Sequence, residues 1–219
     1  MTDVDVRQRV LAANEAAAAE LRAGWAASRT LVLNLISSPG SGKTTLLEAT
    51  VSRLKDRYRI GVIEGDIATE MDAERLRRLG VPAHQILTGG SCHLDARQVQ
   101  VAAARPEFAA LDLLFVENVG NLICPTGYDL GEAFKVVLLS VAEGEDKPFK
   151  YPAIFARADV AVISKMVLLP HVSFEMDEVR GQVRALRPQG TILELSARTG
   201  AGVDAWCALV RERRAAKRG

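Results

Sequence analysis

Lys43 and Thr44 lie near the end of the stretch SSPGSGKTT, which runs from Ser37 to Thr45. Residues of these types in this order suit a polyphosphate. Pro39, Gly40, Ser41 and Gly42 let the backbone curl with its N–H groups inward, and a helix beginning at Lys43, Thr44 and Thr45 would aim its positive end at the anion. Lys43 then reaches the β- and γ-phosphates, and the Thr44 hydroxyl is placed for Mg²⁺. Ser37 stands where the general pattern G-x-x-x-x-G-K-[ST] has its first glycine. A chance Gly-Ser turn is the bland alternative, but the motif's required flanks are both present: an apolar run over 31–36 and the helical stretch LLEATVSRLKDR.

Two acidic residues close apolar runs further on. LDLLFVE ends in Glu117, with Gly120 three residues later, and RIGVIEGD ends in Asp66. A carboxylate at such a strand end can hold Mg²⁺ or its water, and a glycine N–H can approach a γ-phosphate. Glu117 is the stronger Mg²⁺ candidate, and Asp66 is either a second ligand or the positioner of an attacking water. Phosphoryl transfer needs charge neutralisation and in-line positioning, and Lys43, Thr44, Asp66 and Glu117 are the candidates for both. A capped strand end is the structural alternative for Glu117.

Two late strand ends, VAVISKM and ELSART, lie where a GTPase reads its base. Ser164 and Lys165 correspond to the Asn-Lys of N-K-x-D, and Ser196, Ala197 and Arg198 to S-A-K. The lysine stem can lie over the purine, and the Ala197 N–H can bond guanine O6. Val167 occupies the position of the guanine-reading aspartate. An apolar side chain cannot make that bidentate contact, so the pattern leaves ATP/ADP open beside GTP/GDP.

Cys92, His93 and Cys124 form a third group. Their spacing alone is a weak metal signal, because a buried cysteine behaves as a small hydrophobe. Their position strengthens it, since Cys124 lies seven residues beyond Glu117. Two thiolates and an imidazole suit Zn²⁺ or Ni²⁺ and leave a coordination position open, or filled by a second chain. Cys207, within AWCALV, reads as core. His84 and His171, each within two residues of a proline, read as surface loop residues.

The elements that must hold these groups alternate. A helix over 4–25 presents Val6, Val10, Leu11, Ala17, Ala18, Leu21 and Trp25 at helical spacing. Strands follow at the runs ending in Ile36, Asp66 and Glu117, at a short piece HQIL, and over 135–141, 158–164 and 191–195. Helices are expected after the phosphate loop, from Asp72 as cap to Gly80, over 94–105 with Cys92 and His93 at its start, over 174–187 and over 202–214. This alternation predicts an α/β P-loop nucleotide-hydrolase fold, a mostly parallel sheet with helices on both faces, as one domain over 1–219.

Composition adds exclusions. The 219 residues are 48% hydrophobic and 25% charged, with a net charge of +1, so no nucleic-acid or anionic-membrane footprint is expected. The basic end RERRAAKRG reads as a solvated helix terminus. No run approaches the ~20 apolar residues of a membrane span, and three cysteines without a disulfide-like framework suit reduced thiols, so a cytoplasmic protein is expected.

Taken together, LNLISSPGSGKTTLLE, EGD, TGGSCHLDA, VENVGNLICP, SVAEGEDKPFKYP and LLPHVSF resemble the hydrogenase nickel-incorporation GTPases, the HypB family, over nearly the whole chain. Ser37 is then the family's own pattern. The resemblance implies a dimerising SIMIBI-type P-loop GTPase, slow GTP hydrolysis coupled to Ni²⁺ delivery into the large subunit of [NiFe] hydrogenase, and a HypA-type metallochaperone as partner. It implies a metal site at Cys92, His93 and Cys124 near a nucleotide-dependent homodimer interface, and Mg²⁺ and switch roles for Thr44, Asp66 and Glu117. The Cys- or His-rich segment of many relatives does not precede Val10, so nickel handling is expected to rest on the three-residue set. Rival readings are a diverged paralogue with relaxed purine use serving another metalloenzyme, a nucleotide-switched scaffold with structural thiols, and a small-molecule kinase.

Overall fold

Every residue of β1 (Leu31–Ser37) is buried, and its alternating side chains feed different cores. Leu31, Leu33 and Leu35 pack against α2 (Lys43–Leu54), α3 (Met71–Arg77) and α8 (Val203–Ala216). Val32 packs on the opposite face with α1 (Asp3–Ala27) and α4 (Ala96–Ala103). Further along that face, Ile36 joins the cluster of α6 (Pro152–Arg157) and α7 (Met176–Leu186). In this computed structural model residues 3–66 and 70–217 are described. The side chain expected at Val6, the start of the stretch after Asp66 (67–69) and the last two residues of the basic end lie outside the described residues.

The remaining strands are β2 (Ile60–Asp66), β3 (Ala83–Leu87), β4 (Leu113–Glu117), β5 (Phe134–Ser140), β6 (Val160–Ser164) and β7 (Thr191–Glu194). The seven form one sheet in the order β3-β2-β4-β1-β5-β6-β7, and every pair is parallel. The α/β fold with helices on both faces is therefore as expected. Connections from β1 leave toward one side of the sheet and those from β5 onward toward the other, so the carboxyl end of β1 is where a ligand crevice opens. Short α5 (Lys147–Lys150) and α6 both carry proline in their first turn, where a missing N–H costs nothing.

Local departures from the sequence reading have physical causes. Asp72 does not cap α3. Glu70 holds the N-cap position without a side-chain bond, and Asp72 sits in the first turn, accepting from Arg75 at 2.8 Å. Helix α4 starts later than expected because Asp95 and Gln98 form a reciprocal capping box, leaving Cys92 and His93 in the preceding loop. His84 lies in edge strand β3, not in a loop, whereas His171 is exposed as expected. The basic end is not wholly solvated. Arg214 is buried and donates to Asp112 Oδ1 at 2.8 Å, fastening α8 beneath β4.

Helix α1 lies on α4, burying Ala17, Ala18, Leu21 and Trp25 while Val10 and Leu11 stay exposed. Buried Asn14 ties it down by donating to Asp129 O and accepting from Ala96 N, both at 2.8 Å. Cys207 is core, and burial pushes its thiol pKa up. No described helix is long and apolar enough to cross a membrane.

Candidate nucleotide and metal site

The loop between β1 and α2 turns through left-handed backbone at Gly40 (φ 74°) and Gly42 (φ 96°), conformations that a side chain would strain. Gly42 is the N-cap of α2, so the helix's free N–H groups point into the loop. Lys43 is buried and donates to Ser37 Oγ at 2.9 Å, with Glu117 Oε1 3.9 Å from its Nζ. The serine in the first loop position thus parks the lysine. Burial lowers the Lys43 pKa, and nearby Glu117 opposes that shift. Thr44 Oγ1 donates to Glu117 Oε1 at 3.0 Å.

A cavity of about 470 Å³ opens over this loop, bounded by Pro39, Lys43, Thr44, Asp66, Glu117 and Gly120. Of the residues expected on the phosphate and Mg²⁺ side, all but Ser41 line it, Gly40 and Gly42 included. Thr45 lines this cavity and the neighbouring cleft alike. Gly120 is needed for close approach, because a Cβ on it would lie 2.9 Å from both the N and Cα of Pro39. Ser41 points elsewhere, its Oγ lying 2.8 Å from Ser38 O and 2.5 Å from Glu143 Oε1.

Sequence reasoning missed Glu64, although it lies in the EGD stretch. Parallel register sets Glu64 of β2 beside Glu117 of β4, and both are buried. Burial, then the neighbouring Glu117, pushes the Glu64 pKa up to about 9. Burial raises Glu117 to about 7, with Lys43 and Thr44 pulling the other way. Glu64 Oε1 and Glu117 Oε2 have no hydrogen-bond partner. Gln85, with its amide turned to satisfy its neighbours, donates to Glu64 Oε2 at 3.2 Å and accepts from Asp66 N at 3.1 Å. Arg75, also in the cavity wall, is held by Glu48 through two bonds of 3.0 and 2.6 Å.

On the other side of Gly42 a second cleft of about 310 Å³ is bounded by Lys165, Val167, Leu168, Ser196, Ala197 and Arg198. Its apolar walls suit a flat ring. Lys165 adopts left-handed backbone (φ 57°), and its Cε lies 3.9 Å from where a Cβ on Gly42 would stand, spanning cavity and cleft. Val167 is 42% exposed at the rim, so no carboxylate faces the cleft from that position. Ser164 is a brace: its buried hydroxyl donates to Ser41 O at 2.7 Å. Ser196 is likewise buried and organises the turn, its N–H bonding Ala201 O at 2.8 Å.

Cys92, His93 and Cys124 converge, with one ligand atom from each lying within 4.8 Å of the others. Cys92 Sγ is 3.6 Å from His93 Nδ1, and the His93 ring rests on Tyr128 at 3.9 Å between centroids. The neighbouring Cys124 thiol, then burial, raises the Cys92 pKa, while the Asn121 side chain favours its thiolate. Burial lowers His93, keeping the imidazole neutral and free to ligate. Two asparagines tie this group to the phosphate side. Asn118 accepts from Leu94 N at 3.0 Å, and Asn121 accepts from Ile123 N at 2.7 Å and Cys124 N at 3.4 Å. Both lie in VENVGNLICP, a stretch whose acid, glycine and cysteine drew attention away from its asparagines.

A glycine loop feeding a helix at the switch point of a parallel sheet, with a buried lysine and an acidic strand end opposite, defines a P-loop nucleoside triphosphatase. Residues 31–194 match the family described as CobW/HypB/UreG, nucleotide-binding domain. A hydrogenase maturation factor HypB of Azotobacter vinelandii is 49% identical over 95% of this chain and 69% of its own length. The chain belongs to the HypB family of hydrogenase maturation factors. HypB from Archaeoglobus fulgidus superposes with a TM-score of 0.87 at 38% identity, over 93% of this chain and 99% of that one. HypB from Helicobacter pylori, solved in complex with nickel, gives 0.86 at 40% identity, over 92% and 94%.

Proposed function

We propose that this protein is a GTP-hydrolysing metallochaperone that carries nickel during [NiFe] hydrogenase maturation, with Cys92, His93 and Cys124 as the cargo site. The observation that carries the reading is the shortness of the path between the two sites, since Gly120 abuts Pro39 of the phosphate loop and Cys124 follows four residues later. The nickel-bound relative from H. pylori supports the choice of metal, and Zn²⁺ suits the same donors. The chain acts as one domain with α1 packed on it, in the cytoplasm, as a nucleotide-dependent homodimer. Its partners are a HypA-type metallochaperone and the hydrogenase large subunit.

The phosphate side fits a Mg²⁺ nucleotide, because Glu117 Oε2 is a buried acceptor without a donor and Thr44 and Asp66 flank it. Mg²⁺, when bound by Thr44, Asp66 and Glu117, would neutralise charge on the β- and γ-phosphate oxygens. Lys43 leaves Ser37 for the phosphates, the loop N–H groups between Pro39 and Thr45 bind the β-phosphate, and Gly120 senses the γ-phosphate. On the base side, Lys165 and Ala197 hold the purine with Arg198 at the rim, and Ser164 and Ser196 shape the cleft. Guanine is the base we assign to this cleft. Val167 favours a second reading, in which ATP is also accepted.

The test is nickel stoichiometry in Cys124→Ala against the parent. Loss of the bound equivalent supports the cargo reading, and equal binding overturns it in favour of a scaffold with structural thiols.

A further inference from the structure

Lys43, Arg75 and Lys165 are the cations among the described residues that bound the phosphate cavity. Lys43 serves the loop and Lys165 reaches the base cleft, whereas Arg75 shares the cavity with Asp66, Glu117 and Gly120 and does not line that cleft. It comes from α3, which packs on α2 and β2, so it stands on the γ-phosphate side. Its guanidinium is held from two helices. Nε and Nη2 donate to the two oxygens of Glu48 on α2, and Nη1 donates to Asp72, one turn back on α3. These bonds spend three of the five N–H donors of a guanidinium and leave two. The partly exposed pairs contribute little to stability, but a fork gripped by two carboxylates is fixed in orientation. Burial raises the pKa values of Glu64 and Glu117, and Arg75 is among the charges that oppose it, so its field reaches the centre of the cavity.

We propose that Arg75 is a catalytic residue, its two unspent N–H groups donating to γ-phosphate oxygens in the transition state of hydrolysis, a role that rests on the reading of this cavity as a triphosphatase site. In that step the water oxygen bonds to the γ-phosphorus. The bond from that phosphorus to the β–γ bridging oxygen breaks, its electron pair staying with the diphosphate. One water proton remains on the released phosphate and the other goes to solvent. Arg75 exchanges no proton, and its bond to Glu48 raises its pKa further. Its fixed charge meets the negative charge on the transferring oxygens, and donors already held in place need no rearrangement as that charge develops.

Single-turnover hydrolysis of GTP and of ATP with Mg²⁺ is measured for the full chain and for Arg75→Ala and Arg75→Lys, with GDP affinity and thermal stability read alongside. Binding of GDP with and without aluminium fluoride, a mimic of the transferring phosphoryl group, gives a readout that a structural ion pair would not move. Arg75→Ala should slow hydrolysis at least about tenfold and weaken the aluminium fluoride complex by a like factor, with GDP affinity and melting temperature unchanged. Arg75→Lys, which keeps the charge without the fork, should recover part of the rate. Parent-like hydrolysis and aluminium fluoride binding in Arg75→Ala overturn the proposal. So does a slower rate that comes only with weaker GDP binding and a lowered melting temperature, the mark of a structural ion pair. A parent that hydrolyses neither nucleotide overturns the triphosphatase reading, and the catalytic role with it.

Discussion

Glu64 and Glu117 stand side by side on adjacent parallel strands, both buried, each with one carboxylate oxygen lacking a hydrogen-bond partner. Two like charges this close in a dry site cannot both ionise freely. Without nucleotide and Mg²⁺ this pair is a strain on the fold. Glu64 goes from an ordinary 4.5 to about 9 on folding, so the folded state holds its proton more tightly and stability falls as pH rises between those values. Glu64→Gln should stabilise the nucleotide-free protein by roughly 1–3 kcal/mol at about pH 8, and far less near pH 5. Thermal melts at the two pH values check this, and a uniform gain or a loss at both would refute it.

Gly120 is hemmed in by backbone atoms of Pro39, which cannot swing away as a flexible side chain would. Gly120→Ala should leave the sheet intact while weakening nucleotide binding on the order of tenfold, or ~1.4 kcal/mol. Titration of a fluorescent nucleotide, with circular dichroism as the control for folding, reads this out. Parent-like affinity would mean that the loop does not close on the phosphate cavity.

The three thiols differ in access. Cys92 and Cys124 are partly exposed, whereas Cys207 is sealed in the α8 core. A thiol reagent should label the first two in the folded protein and Cys207 only after denaturation, and Ni²⁺ or Zn²⁺ should protect the first pair. Mass spectrometry of the labelled chain decides. Rapid native labelling of Cys207 would contradict the packing of α8 against α2.

Val167 occupies the rim of the base cleft, 42% exposed. Val167→Asp should raise the GTP-to-ATP affinity ratio at least about tenfold by restoring a carboxylate for the guanine edge. An unchanged ratio from paired titrations would show that residue 167 does not face the base.

The phosphate side was legible because its chemistry is local. Gly40, Gly42, Lys43 and Thr44 are neighbours in sequence, and the strand and helix beside them follow from apolar runs. Cys92, His93 and Cys124 were legible as a group from ligand type and from the place of Cys124 just beyond Glu117, and the fold brings their ligand atoms together. Glu64, Glu143, Asn118 and Asn121 were not, because each acts through strand register or through a loop folding back on another, which spacing does not encode. Ser164 was read as a base contact, yet its hydroxyl is spent on Ser41 O. Arg214 was read as solvated, yet a buried partner waits in Asp112, 102 residues away.

The central claim is that one loop, running from Gly120 to Cys124, makes the metal and nucleotide sites report on each other. Linkage makes the effect reciprocal, so saturating Ni²⁺ must change GTP-analogue affinity by the factor that the analogue changes Ni²⁺ affinity. The most direct measurement is a nucleotide titration of the purified protein with and without Ni²⁺. The account predicts a shift of about fivefold or more that disappears in Cys124→Ala. Identical nucleotide affinity with and without bound nickel would contradict it.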